Sequence, residues 1–251
     1  MKKAILKTAI YLAVAALCVV AVWSVAYLLV GNDFLLPSFT DCLVRLGALC
    51  VSGEFWLGVG STLLRVLLAF VLSLVIGGGL GVAAYACKPL EKVLSPILSL
   101  VRALPLLAVI LILLTWTKAS VAPIIVAALS LTPILYTATY SALCGVDSEL
   151  VQMSRVYKVP LKRQIAQLYL PAVFPTLIRE SGAAVAFGVK LVVSAEVLAL
   201  TAVGLGGYMQ SANATLDISK LFALVIASSL IAVLFESVCL ALADGAQRRL
   251  Q

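Results

Sequence analysis

The sequence predicts an all-α integral membrane protein, folded as one bundle of six transmembrane helices with a single polar helix-turn-helix loop. Apolar residues make up 63% of the chain and charged residues only 12%, with a mean hydropathy of +1.17. These values lie outside the range of soluble globular proteins. Six stretches also reach the length of about 20 apolar residues that a helix needs to cross a bilayer. We therefore treat residues 1–251 as one membrane domain.

The predicted spans follow one another with short connections between most of them. They comprise residues 10–30, 58–86, 93–116, 121–143, 172–200 and 221–243. The first stretch is much longer than the apolar core of a signal peptide, and no small-residue cleavage site closes it, so we expect a retained helix. The fifth stretch is unusual because it carries four charged residues, Arg179, Glu180, Lys190 and Glu196.

The distribution of positive charge predicts the orientation of the bundle. With the N-terminus inside, the cytoplasmic segments contain eleven lysines and arginines, namely Lys2, Lys3, Lys7, Lys88, Lys92, Arg155, Lys158, Lys162, Arg163, Arg248 and Arg249. The opposite side contains three, namely Arg45, Lys118 and Lys220. Cytoplasmic segments of membrane proteins are enriched in Lys and Arg. We therefore expect both termini in the cytoplasm, and the net charge of +7 needs no nucleic-acid partner to explain it.

Residue types exclude several kinds of chemistry. The chain has no histidine and its six cysteines lack metal-binding spacing, so zinc chemistry and histidine-based catalysis are excluded. The glycine-rich segment 204–208 follows no predicted strand and lacks the lysine of a phosphate-binding loop. No Walker sequence occurs elsewhere in the chain. We expect a protein that is not an enzyme and that needs no cofactor.

Two shorter features lie outside the polar loop. Residues 40–51 have the pattern of an amphipathic helix, which we expect to lie along the outer surface of the membrane. The third span contains Pro96, Arg102 and Pro105. The two prolines have no N–H, so each leaves a backbone carbonyl within the span without its helical partner. We expect a kinked packing helix there, and a role in a solute path is the alternative.

Residues 147–175 form the most polar long segment of the chain and cannot cross a bilayer. Apolar residues recur at helical spacing on both sides of position 158, which predicts two short amphipathic helices joined by a sharp turn. Pro160 suits the first turn of the second helix, and it pushes Val159 out of the helical region. Such a segment is either a docking surface for a protein in the aqueous phase or a solvated loop.

The polar segment resembles the coupling loop of the permeases of binding-protein-dependent ABC importers. Their pattern is Glu-Ala-Ala, three residues, Gly, nine residues, Ile, one residue and Leu-Pro. Matching Leu170-Pro171 to its end aligns Leu168 with the Ile, Lys158 with the Gly and Gln152-Met153-Ser154 with Glu-Ala-Ala. The spacing is intact, although the residues at the first four positions differ. Segments 36–38, 194–196 and 204–206 make the chain most similar to the permeases of the nitrate, sulfonate and taurine group.

The resemblance implies a type I ABC importer permease architecture with a coupling loop at about residues 147–171. Two permease copies, here expected to be a homodimer, would pair in the lipid bilayer of a bacterial inner membrane. ATPase subunits would bind the coupling loops, and an extracytoplasmic binding protein would deliver the solute. The residues expected to contact the ATPase are Glu149, Gln152, Met153, Ser154, Arg155, Lys158, Pro160, Leu168 and Pro171. The implied solute is a small anion such as nitrate, a sulfonate or taurine, and a vitamin precursor such as a thiamine pyrimidine is the alternative.

Polar residues within the spans are candidates for the solute path, and they are Arg102, Lys190, Ser194 and Glu196. A lysine near the bilayer centre costs about 2.5 to 3.5 kcal/mol, so Lys190 should face protein or water. Six residues turn a helix by roughly 240°, so Lys190 and Glu196 should not pair. Lys190 is expected either to pair with Glu236 or to border the path. A secondary transporter that works alone is the competing function, which neither a carboxylate cluster nor an inverted repeat supports.

Overall fold

The computed structural model describes the backbone of residues 2–250 and the surroundings of the side chains of residue 14 and residues 17–245. This part of the chain is helical and contains no strand. Its helices are α1 Lys2–Val30, α2 Phe39–Val51, α3 Gly53–Ser73, α4 Gly79–Ala86, α5 Lys88–Ala103, α6 Leu106–Trp116, α7 Ala122–Cys144, α8 Ser148–Val156, α9 Leu161–Gln164, α10 Leu170–Ala199, α11 Leu205–Ala214 and α12 Ile218–Leu250. Two π-helical turns, Leu74–Gly78 and Ile165–Tyr169, lie directly before α4 and α10.

Four continuous helical runs are long and apolar enough to cross a membrane. They are Gly53–Ala86, Ala122–Cys144, Leu161–Ala199 and Ile218–Gly245. α5 and α6 together supply a fifth, broken span, and the described apolar part of α1, Leu17–Val30, lies within the first predicted span. All six predicted stretches are therefore helical, and the all-α membrane fold is confirmed.

The third predicted span differs from the expected kinked helix. Its two halves, α5 and α6, are bent by 89° relative to each other. Between them, Leu104 and Pro105 have extended backbones with ψ angles of 131° and 103°. Pro105 has no N–H for a helical hydrogen bond, and its ring disfavours the helical conformation of Leu104, so α5 ends there. Pro96 and Pro133 lie inside α5 and α7, so a proline alone does not decide where a helix breaks.

α10 lies at the centre of the bundle and packs against α3, α7, α11 and α12. Its buried residues Val189 and Val192 belong to a core that includes Leu224 of α12. Small residues allow the same two helices to approach closely, because a Cβ added at Gly182 would lie 2.5 Å from the Cys239 Cβ. Helices in a bilayer associate mainly through close packing, since lipid tails are as apolar as the side chains. The position of α10 is therefore set by contacts on several sides.

Trp23 attaches α1 to the bundle. Its indole N–H donates to the Pro37 carbonyl at 3.1 Å. Its ring packs edge to face on Phe39 of α2 and Phe222 of α12, with ring centroids 6.1 and 5.0 Å away. α2 is the helix predicted over residues 40–51. Ser38 is its N-cap residue, whose side chain accepts a hydrogen bond from the Asp41 N–H in the first turn.

The polar segment folds into two short helices as predicted, with one difference. α9 does not end before the fifth span, because Leu161–Ala199 is a continuous helical run. The π-helical turn Ile165–Tyr169 lies just before Pro171, whose missing N–H interrupts the regular hydrogen-bond ladder. The second helix of the predicted pair is therefore the first part of the central span.

Candidate functional site

The polar loop, residues 147–171, is built around a hydrogen-bonded turn between α8 and α9. The Lys158 N–H donates to the Arg155 carbonyl at 3.0 Å, and the Val159 N–H donates to the Ser154 carbonyl at 2.9 Å. This pair of bonds is the Schellman pattern that ends many helices. The turn therefore has a defined, hydrogen-bonded geometry.

Lys158 has the left-handed backbone conformation that the family pattern assigns to glycine. Its φ angle is 50°. A residue with a Cβ in this conformation is disfavoured by about 1 to 2 kcal/mol. The turn is kept nevertheless, and the amide of Gln164 braces it by donating to the Val159 carbonyl at 2.7 Å. The Lys158 side chain is exposed, so the turn presents a positive charge at the tip of the polar loop.

One face of the polar loop packs onto the bundle and the other is open. Val151 and Leu168 pack against a buried cluster that includes Leu143 and Val173. The open face carries large apolar side chains with exposed fractions of 48% to 78%, namely Leu150, Met153, Val156 and Tyr157. Six of the residues predicted to contact an ATPase are exposed, namely Glu149, Gln152, Met153, Arg155, Lys158 and Pro160. The other three are half-buried, namely Ser154, Leu168 and Pro171. A surface of this mixed character is typical of a protein interface.

A cavity of about 640 Å³ opens between α5, α6, α7 and α10. Arg102 lies in its wall, where the guanidinium donates to the Pro133 carbonyl at 2.8 Å and to the Thr137 hydroxyl. Other polar groups of the lining include the hydroxyls of Ser130, Ser141 and Thr176 and the carboxylate of Glu180. Charged residues of membrane helices generally face a bundle interior or a water-filled cavity. Arg102 thus lies in the wall of a cavity inside the bundle.

The structure separates the three predicted path residues of α10. Lys190 and Ser194 are one turn apart and both exposed, on the face that continues from Phe187 in the cavity wall. Glu196 is fully buried on another face of the helix. Lys190 and Ser194 therefore lie on the exposed face of α10 beyond the cavity lining, whereas Glu196 borders no open space.

The expected ion pair between Lys190 and Glu236 is wrong. Among the side chains that the structure describes, the ion pairs are Arg45–Asp217 and Arg65–Glu196. The Glu236 carbonyl lies beside Gly182, where it would be 3.4 Å from an added Cβ. Gly182 precedes Lys190 by eight residues, which is about 12 Å along the helix. The relative height of α10 and α12, which the sequence does not reveal, keeps the two charges apart.

A buried polar cluster, made of Thr62, Arg65 and Glu196, lies near the far end of α10 from the polar loop. Glu196 follows Leu170 by 26 positions, which correspond to about 39 Å of helix. The Arg65 Nη1 and the Glu196 Oε1 are 2.5 Å apart, and their side chains are only 11% and 0% exposed. The Thr62 hydroxyl donates to the carboxylate and lies 2.9 and 3.0 Å from its two oxygens. Glu196 thus has the ionic and hydrogen-bonding partners that a buried charge requires.

The buried polar cluster also binds the start of α11. The Gly206 N–H donates to the Glu196 carboxylate at 2.9 Å, and the Leu205 N–H donates to the Thr62 hydroxyl at 2.9 Å. Both N–H groups belong to the first turn of α11, where no carbonyl within the helix is available to accept them. Side chains of α3 and α10 therefore take the role of the missing N-cap.

The glycines of segment 204–208 are explained by this contact. A Cβ added at Gly204 would lie 2.7 Å from the Glu196 Cδ, and one added at Gly206 would overlap the Val193 carbonyl oxygen. Only glycine lets the backbone come so close to the buried carboxylate. Tyr208, in the same segment, has its pKa raised by burial and further by the nearby Glu54 carboxylate. The segment is a packing element and no phosphate-binding loop.

The sequence analysis missed Thr62 and Arg65 of this cluster, and of the two Arg65 carried a signal. The signal was available, because an ionisable residue inside a predicted membrane helix is functional or paired by default. Its partner was not available, because 131 residues separate Arg65 from Glu196 in the chain.

Three comparisons with known proteins agree with these features. Residues 73–251 match the family described as the binding-protein-dependent transport system inner membrane component. The chain is 27% identical over 223 residues to the putative aliphatic sulfonates transport permease protein SsuC of Bacillus subtilis (strain 168), covering 87% of this chain and 80% of that protein.

Solved permease structures share the fold. Two inward-facing crystal forms of the MetNI methionine ABC transporter superpose with TM-scores of 0.63 and 0.64, at 20% and 18% identity, covering 76% and 78% of this chain and 97% and 99% of those chains. An amino acid ABC transporter with histidines superposes with a TM-score of 0.58 at 16% identity, covering 82% of this chain and 96% of that one. The chain belongs to the family of binding-protein-dependent inner membrane transport components, and it is the permease component of an ABC importer.

Proposed function

We propose that this permease imports a small organic anion of the sulfonate class, driven by a separate ATPase that binds the polar loop. The Bacillus subtilis relative is named as a putative permease for aliphatic sulfonates. Two cations suit an anionic solute, namely Arg102 in the cavity wall and Lys190 on the exposed face of α10. Positive charge along a low-dielectric cleft raises the local concentration of anions.

The ATPase contact rests on one observation, the ordered and partly apolar open face of the polar loop. Met153 and Tyr157 line a cleft of about 290 Å³ between α8 and α9. Arg163 supplies a charge in the lining of this cleft, and Arg155 and Lys158 are exposed elsewhere on the same loop. An apolar centre with a charged rim is the usual composition of an interface. Since the chain has no Walker sequence of its own, nucleotide hydrolysis is assigned to the partner.

Movement of the polar loop would be passed directly to the centre of the bundle. α9 continues through the π-helical turn into α10, which carries Lys190 and Ser194. An ATPase that pulls or releases the loop therefore displaces the helix that borders the path. Rigid-body swings of this kind are a common way to switch between two states.

Lys190 supports the pairing of two copies of the chain. Its side chain is exposed in a single copy. Left against lipid near the bilayer centre, it would cost about 2.5 to 3.5 kcal/mol. A second copy facing α10 covers this surface and leaves Lys190 and Ser194 beside a shared path. The proposed assembly is a homodimer in the bacterial inner membrane, with both termini and the polar loops in the cytoplasm and a binding protein at the far end.

The experiment is uptake into proteoliposomes that contain the permease, its ATPase and its binding protein. We expect ATP-dependent uptake of labelled ethanesulfonate. Lys190→Met should reduce uptake at least about tenfold without loss of assembly, whereas the matched control Lys118→Met should leave it unchanged, because Lys118 lies outside the spans.

Two outcomes contradict the proposal. Uptake that persists without the ATPase would identify a secondary transporter that works alone. Uptake that excess sulfonate does not inhibit, but that a thiamine pyrimidine does, would assign the permease to a different solute class.

A further inference from the structure

We propose that Arg65 and Glu196 are positioning residues of the transport cycle. Their buried ion pair locks segment 200–206 and α11 onto α3 and α10, so that the far-end surface of the bundle and the path helix move as one unit. The proposal rests on the proposed function, because the motion concerned is that of a transporter.

The Arg65 guanidinium joins four separate parts of the fold. It belongs to α3 and pairs with Glu196 of α10. Its Nη1 also donates to the Val203 carbonyl at 2.9 Å, in the segment between α10 and α11. Its Nε donates to the Ser120 carbonyl at 3.2 Å, just before α7. The planar donor geometry of arginine allows these contacts at once, which a lysine cannot reproduce.

Segment 200–206 requires contacts that hold its conformation, because its backbone is strained at one position and has a φ angle at another that only glycine adopts readily. Leu200, at the end of α10, has a left-handed φ angle of 52°, and Gly204 has a φ angle of 151°. A left-handed residue other than glycine costs roughly 1 kcal/mol or more and persists only when its surroundings hold it. The hydrogen bonds from Leu205 and Gly206 to Thr62 and Glu196 hold the segment on its other side.

Stability alone is a weak explanation for this ion pair. Replacing both members of a buried pair by apolar residues is often neutral or even stabilising, whereas removing one member is strongly destabilising. A buried pair is better suited to selecting one arrangement among several. The arrangement selected here concerns α10, α11 and the segment between them.

The lock acts on the side of α10 opposite the path. Ser194 and Glu196 are two residues apart, which is a rotation of about 200° around the helix. Ser194 is exposed on the path face and Glu196 is buried on the other. Fixing Glu196 to Arg65 and to α11 therefore fixes the rotation of the path face as well. A movement of α11 at the far end, where the binding protein is proposed to dock, is passed to Lys190 and Ser194 by the same contact.

The first experiment compares single and double replacements. Arg65→Met leaves the Glu196 carboxylate buried without its cation, so little full-length chain should accumulate in membranes. Combining Arg65→Met with Glu196→Met should restore membrane levels to at least about half of wild type. In this double variant, hydrogen exchange of residues 200–208 should be at least about tenfold faster, and ATP-driven ethanesulfonate uptake at least about tenfold slower.

The chain contains a matched control in its second ion pair. Arg45 and Asp217 join α2 to the segment before α12, but their side chains are 54% and 29% exposed. An exposed pair contributes little to stability. Arg45→Met combined with Asp217→Met should therefore leave the membrane level and the exchange of residues 200–208 within about twofold of wild type.

Gly204→Ala tests the lock without removing a charge. The added Cβ would lie 2.7 Å from the Glu196 Cδ. It should accelerate exchange of residues 200–208 and lower uptake in a chain that still inserts, which keeps the test valid even if the double methionine variant does not assemble.

Two results would overturn the proposal. If exchange of residues 200–208 is unchanged in both Gly204→Ala and the assembled double variant, the ion pair locks nothing. If exchange is faster but uptake is normal, the pair is replaceable packing and has no part in transport. Because exchange is measured on the purified permease without solute or ATPase, a failure of the lock is distinguishable from a failure of the proposed function.

Discussion

The polar loop and the buried polar cluster lie towards opposite ends of the Leu161–Ala199 helical run, and they treat polar residues in opposite ways. In the loop, charged side chains are exposed and the turn at Lys158 is closed by backbone bonds within six residues. In the cluster, the charges of Arg65 and Glu196 are almost fully buried and come from positions 131 residues apart. In this chain the polar run therefore forms a surface, whereas the isolated charges Arg65 and Glu196 are each other's partners from two different helices.

The largest expected difference between the two regions is access from outside the cell. In a cysteine-free variant, a single cysteine at Asn213 in α11 should react with an impermeant thiol reagent applied to intact cells. A cysteine at Lys162 in the polar loop should react only after the membrane is opened. Both positions are exposed on the protein, so burial does not explain a difference. Labelling of the position 162 cysteine in intact cells would reverse the proposed orientation.

The next largest effect is expected where the backbone meets the buried polar cluster. Gly206→Val places a branched side chain against the Val193 carbonyl, so we expect loss of most of the chain from membranes. Gly60→Val is the matched control, because nothing lies within 4 Å of a Cβ added at Gly60. Quantitative immunoblotting of membranes measures both. Equal levels of the two variants would mean that segment 204–208 is loosely packed.

The open face of the polar loop should respond to a change of polarity without a change of stability. Val156 is 78% exposed, so Val156→Asp should insert normally. It should reduce copurification of the ATPase about tenfold, because a charge replaces an apolar contact. Val51→Asp, at an 89% exposed position outside the polar loop, is the control and should not alter copurification. Unchanged copurification of Val156→Asp would make this face ordinary solvated surface.

The smallest expected effect concerns the strained turn. Lys158→Gly removes the Cβ from a residue with a φ angle of 50°, so it should stabilise the chain by about 1 kcal/mol. For a chain of this size that corresponds to a rise in Tm of about 2 to 4 °C, measurable by thermal unfolding in detergent. Lys162→Gly, within α9, should lower Tm instead, because glycine disfavours a helix. A lower Tm for Lys158→Gly would mean that the lysine side chain stabilises the turn.

The sequence predicted features whose causes lie close together in the chain. The length that a helix needs to cross a bilayer located all six apolar stretches. The turn of the polar loop was located by Pro160, because a proline disfavours the helical conformation of the residue before it. The sequence was a poorer guide to contacts between segments that are distant in the chain. Arg102 was expected inside one kinked helix, but it lies near a break of 89° and reaches Pro133 of α7. The prediction of a Lys190–Glu236 pair was wrong for the same reason, because the sequence does not show how far one helix is shifted along its axis relative to another.

The sequence by itself determined that the chain is a membrane protein, where its spans lie and where it has a polar loop. The length of an apolar stretch, the charge of a segment and the backbone restriction at a proline all depend on residues that are close in sequence. They can therefore be evaluated without knowing the tertiary structure. Only the tertiary structure decided which charges are exposed and which are paired. Glu196 was a candidate path residue from its sequence, yet it is buried against Arg65 and the Gly206 N–H in the first turn of α11. A buried charge is stable only with partners in three dimensions, and the packing of α3, α10 and α11 supplies them.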